Sequence, residues 1–182
     1  TPPPVIDTGL DQLTCAQGLS NFELNINKAL EQIPPNLQSR NQELVKGRME
    51  GLKERIDELI VLTRTSFSSP ENKLSFSYEI ARLNEEVVDL MNGFFEGVFS
   101  YYSKSNRQMV IPRYVCWMYS YVFLGFKRDL YPLLKPMKEN LAGKPGTPSL
   151  MVADVPNLGK KLEYIRAAYG LPPELENDEK LL

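Results

Sequence analysis

Between about Asn72 and Ser103 the residues Phe76, Ile80, Leu83, Val87, Leu90 and Phe94 recur in alternating steps of four and three. That spacing marks one helix face buried along its length. Toward Ser103 the apolar face widens to include Val88, Met91, Phe95, Val98, Phe99, Tyr101 and Tyr102. A helix that is apolar nearly all round has to be enclosed by other elements. At about 1.5 Å per residue the stretch is roughly 45–50 Å long. It is expected to be the central post of a helical bundle.

Before it, a first helix is expected from Gly9 to about Ile33, with Phe22, Ile26, Leu30 and Ile33 at helical spacing and a break or cap at Gly18 to Asn21. Pro34 and Pro35 end it. The second helix, about Leu37 to Arg64, has the cleanest heptad: Val45, Met49, Leu52, Ile56, Leu59 and Thr63. Charges fill its other faces, so it buries one side and pairs antiparallel with the central helix. Two start signals overlap there: Ser68 with Glu71 as a capping box, and Ser69 before Pro70 as an N-cap. Gly93 and Gly97 each cost about 1 kcal/mol against Ala inside a helix. Close approach of a neighbour at Gly97 is the expected compensation.

Pro112 opens a fourth helix through Val115, Val122 and Phe126, which Pro132 and Pro136 are expected to kink or interrupt. A connection from Gly143 to Asn157 leads to a final helix through Leu158, Leu162, Ile165 and Tyr169, ended by Gly170 and Pro172. A Pro-rich extended arm, Thr1 to Thr8, and an acidic tail from Glu174 flank these. The expected fold is all-α and a single domain over 1–182. Its expected form is an up-and-down four-helix bundle with additional short terminal helices.

The 182 residues suffice for one core, and a net charge of −2 gives no global field toward nucleic acid or anionic lipid. The longest apolar run, Tyr114 to Phe126, falls short of the roughly 20 residues a membrane span needs. A soluble chain that does not span a membrane is expected. Its start at Thr1 leaves three readings open: a removed targeting segment, as in a lumenal or exported protein; a start inside a longer chain; or a cytosolic product that lost its Met. Localisation stays unassigned. Cys15 and Cys116 read as two separate buried thiols, with a disulfide in an oxidising compartment as the alternative.

There is no histidine. That removes the imidazole of a catalytic triad, of acid–base work near neutral pH and of most metal sites. Glu79, Glu85, Glu86 and Glu96 lack the Glu-x-x-His pattern of di-iron bundles, and no glycine-rich phosphate loop is present. Lys160 and Lys161 fall at a helix start, against the macrodipole, and read as a solvated basic turn. No catalytic residue, cofactor or metal is assigned, and the chain is read as non-catalytic.

The strongest local signal is electrostatic. From Lys104 to Lys144 eight cations stand against Asp129 and Glu139, interleaved with tyrosines and Trp117. Candidate partner-docking residues are Arg107, Arg113, Tyr114, Trp117, Lys127, Arg128, Lys135 and Lys138. Aromatic and basic anchors of this kind suit a protein partner with an acidic surface. The expected role is a structural or docking subunit of a larger assembly, such as an extrinsic subunit of a membrane complex. A viral-type coat or nucleoprotein subunit contacting nucleic acid is the alternative. Further alternatives are an enzyme of another type, or a bundle holding an apolar ligand among Phe94, Phe95, Phe99, Trp117, Tyr121, Phe123 and Phe126.

Overall fold

The computed structural model describes residues 10–36, 40–104, 111–141 and 158–177. The extended arm, the connection before Leu158 and the last residues of the tail lie outside the described residues. All regular structure among the described residues is helical. Helix α1 is Gln12–Glu31 and α2 is Arg40–Thr65; α3, Pro70–Asp89, runs through a π-helical turn, Leu90–Phe95, into α4, Glu96–Lys104. Helix α5, Arg113–Gly125, likewise runs through a π turn, Phe126–Leu130, into α6, Tyr131–Leu141. Helix α7, Leu158–Tyr169, is followed by a 3-10 turn, Pro173–Leu175.

Local chemistry sets the ends. Asp11 caps α1, its carboxylate accepting from the Thr14 amide at 3.0 Å and the Thr14 hydroxyl at 2.9 Å. Ser69, not Ser68, caps α3, accepting from the Asn72 amide at 3.1 Å with Pro70 in the first turn. Gly170 takes φ 72° just past α7 and donates its amide to the Arg166 carbonyl at 3.1 Å, the left-handed stop that glycine supplies.

The expected break at Gly18 is absent, and α1 is continuous. A Cβ at Gly18 would lie 2.9 Å from the Asp129 carbonyl oxygen, and one at Gly125 would lie 2.5 Å from Asn25 Nδ2. These two glycines let α1 and the α5–α6 run approach closely. Asn25 meets Tyr121 and Gly125 while Gly18 meets Asp129, so the two runs are antiparallel. Gln12 Nε2 donates to the Thr63 carbonyl at 2.6 Å, which sets the start of α1 against the end of α2. Arg55 of α2 reaches Glu86 of α3 at 3.2 Å.

All six heptad residues of α2 are buried. On α3 the seam holds through Leu90 and then changes: Phe95 is fully buried, whereas Phe94 is half-buried. In the π turn the Glu96 amide bonds the Met91 carbonyl, five residues back. The extra residue hands the inward position to Met91, Phe95 and Phe99. Nor is this run the most enclosed, since Arg82, Glu85, Asp89, Gly93 and Gly97 are exposed. That place belongs to α5, where every residue from Val115 to Phe126 is buried except half-buried Trp117. Gly97 has no close neighbour either: a Cβ there would meet nothing within 4 Å.

The helix also continues past Pro132 and Pro136. Proline crowds the carbonyl four residues back, here that of Arg128. The wide turn, closed by the Tyr131 amide on the Phe126 carbonyl, opens the backbone where that ring must fit.

Candidate docking face

The eight residues assigned to docking do not form one patch. Arg107 and the side chain of Lys138 lie outside the described residues. Tyr114 is half-buried, its hydroxyl accepting from Gln42 Nε2 at 2.8 Å, so it ties α5 to α2. Trp117 donates Nε1–H to the Gly170 carbonyl at 3.1 Å, and the Arg113 guanidinium lies 5.1 Å above its ring. Lys127 stands 5.1 Å over Tyr131 and 5.9 Å over Phe123. Lys135 is exposed one turn beyond Tyr131. Fourteen helical positions, roughly 20 Å, separate Arg113 from Lys127.

Arg128 turns inward. Its Nε and Nη2 grip both carboxylate oxygens of Asp129 at 2.8–3.1 Å, and Nη2 also donates to Asn25 Oδ1 at 3.3 Å. Asp129 is buried, so this guanidinium compensates a desolvated carboxylate and braces the α1–α5 crossing. The outward basic feature is therefore the stripe Phe123–Lys127–Tyr131–Lys135. Neither Lys127 nor Lys135 has a carboxylate within ion-pair distance among the described residues.

The segment from α7 onward straps the other end of α5. Leu162, Ile165, Leu171 and Leu175 are buried. Tyr169 donates to the Ile111 carbonyl at 2.6 Å, and the Ile111 amide donates to Tyr164 at 3.2 Å. Tyr121 donates to Glu174 at 2.7 Å, and Lys28 lies 3.6 Å from the same carboxylate. The Tyr121 hydrogen bond holds the Glu174 carboxyl below its ordinary value. Lys161 is not the solvated lysine expected. It is 7% exposed and paired with Glu96, because it borders the Leu162–Ile165 seam and has to find its counter-charge inside.

Three further groups had no signal in sequence spacing. Between α1 and α2 the Glu23 carboxyl is pushed up to about 7, chiefly by burial and then by its hydrogen bond with Asp57 and that residue's charge, with Lys53 opposing. Burial pushes the Cys15 and Cys116 thiols up to about 12, and both are free. The aromatic cluster contacts itself: Tyr119 meets Phe95 and Phe99 edge-on at 5.4 Å and stacks on Phe123 at 6.0 Å.

Among the described residues no group of three or more Cys, Asp or Glu is placed to hold a metal ion, and no helix is long and apolar enough to cross a membrane. Comparison with protein-family models, with curated proteins and with solved structures finds no match to this chain.

Proposed function

We propose that the chain is a non-catalytic docking subunit that binds an acidic protein surface through the Lys127–Tyr131–Lys135 stripe. The observation that carries this reading is a pair of lysines outside any ion pair, flanking an aromatic ring on an otherwise enclosed helix run. Desolvated beside an aromatic face, an ammonium and an incoming carboxylate attract more strongly than in bulk water. The crossings of α1 with α2, of α2 with α3 and of α1 with α5 support an up-and-down four-helix arrangement beneath this stripe. Such a scaffold holds the stripe on rigid helix, as a docking subunit of a larger complex requires.

The test is retention of partners from native extract on the immobilised chain, eluted by a salt gradient, with Lys127→Glu plus Lys135→Glu as the control. Arg128 is left intact, because it holds Asp129 and Asn25 inside the fold. A protein complex retained by the parent chain, released by moderate salt and lost with the double variant fits the proposal. Retention of the same complex by both chains rejects the stripe. Nucleic acid in the eluate, with retention falling steeply as salt rises, moves the assignment to a nucleoprotein subunit.

A further inference from the structure

A second surface lies between α2 and α3. Arg48, Gly51 and Arg55 form one wall of an open groove of about 350 Å³, Glu86 and Asp89 the other, and buried Leu52 and Leu90 its floor. Arg55 is satisfied within the chain by Glu86 and Glu79. Arg48 and Asp89 are not: both are exposed, and neither has an ionic partner among the described residues. One unpaired cation thus stands on the α2 wall and one unpaired anion on the α3 side.

The backbone along this groove is unusually open. A Cβ added at Gly47 or Gly51 of α2 would meet nothing within 4 Å, and the same holds at Gly93 and Gly97 on the facing run. Glycine weakens a helix relative to alanine. At Gly18 and Gly125 internal packing explains the residue; at these four positions nothing within the chain does. Two turns before Gly51 on the same edge of α2, Leu44 is 52% exposed.

We propose that this groove is a self-association face, across which a second copy of the chain docks about a two-fold axis. Each copy's Arg48 then meets the other's Asp89, and each Leu44 seats over the glycine positions of its partner. A two-fold rotation exchanges the walls, so a surface carrying one free charge of each sign complements itself. A partner of a single sign would satisfy one wall and repel the other. Glycines at helical spacing supply room for a close helix approach.

The experiment is sedimentation equilibrium of the full chain from about 1 μM to about 1 mM. The parent chain forms a dimer in this range. Arg48→Glu alone and Asp89→Arg alone each raise the dissociation constant at least about tenfold, since like charges then face each other twice across the axis. Combined, the two substitutions restore it to within about threefold. Gly51→Leu fills the groove and abolishes dimerisation while raising the melting temperature of the monomer. Lys127→Glu with Lys135→Glu leaves dimerisation unchanged, which separates this face from the docking stripe. A chain that stays monomeric throughout, a dimer indifferent to either charge reversal, or a charge swap that restores nothing overturns the proposal.

Discussion

Tyr119 has zero exposure, and its hydroxyl reaches no hydrogen-bond partner among the described residues. Burial, reinforced by the Glu96 charge, raises that hydroxyl well above its ordinary value. A buried hydroxyl without a partner costs about 1–3 kcal/mol. Tyr119→Phe keeps the ring contacts with Phe95, Phe99 and Phe123 and is expected to raise stability by about 1 kcal/mol in urea unfolding. A loss of stability would mean that the hydroxyl is satisfied in solution. The Glu23 carboxyl makes a pH prediction. Its value is raised from 4.5 to about 7, so folding favours its protonated form. The associated stability is fully present below about pH 4.5 and is lost as pH rises through about 7. With no histidine in the chain, melting temperature should fall from about pH 5 to about pH 8, and Glu23→Gln should flatten that slope. Neither behaviour was legible in the sequence, because both depend on which side chains meet across helices far apart in the chain. Arg128 and Lys161 show the same limit: their charges are plain in the sequence, and the buried partners that claim them are not.

At the scale of the element, the sequence spacing located every helix core, since a face buried along its length writes its own period. The α2 heptad and the α3 seam as far as Leu90 needed no tertiary information. What spacing could not supply was the wide turn that exchanges Phe94 for Phe95, because that turn changes the period itself. Glycines were equally opaque. Gly18 and Gly97 look alike in sequence, yet one abuts a backbone carbonyl and the other faces open space. Opposite responses to the same substitution follow. Gly97→Ala is expected to stabilise by up to about 1 kcal/mol, gaining helix propensity at no steric cost. Gly125→Ala is expected to destabilise by about 1–3 kcal/mol, because the Asn25 side chain it would strike is held by the Tyr121 carbonyl and by Arg128. Thermal or denaturant melts of the two variants side by side check both signs.

At the scale of the whole molecule, the segment from α7 to Leu175 is joined to α5 by buried leucines and tyrosine hydrogen bonds, and through the Lys161–Glu96 pair to α4. It is expected to melt with the rest. Trp117, the chain's one tryptophan, reports on it through its bond to Gly170. The fluorescence transition should therefore coincide with loss of the far-ultraviolet helix signal in denaturant. An earlier fluorescence change would show the strap opening on its own. The two wide turns carry a different consequence, one of chain length. Each is the trace that a single inserted residue leaves in an α-helix. Deleting one residue from Leu90–Phe95 would let the helix close regularly and turn everything beyond it by about 100°. Phe99 would swing away from Tyr119, and Glu96 from Lys161. The molecule can gain or lose whole turns at these places, but not one residue, without unfastening its own strap.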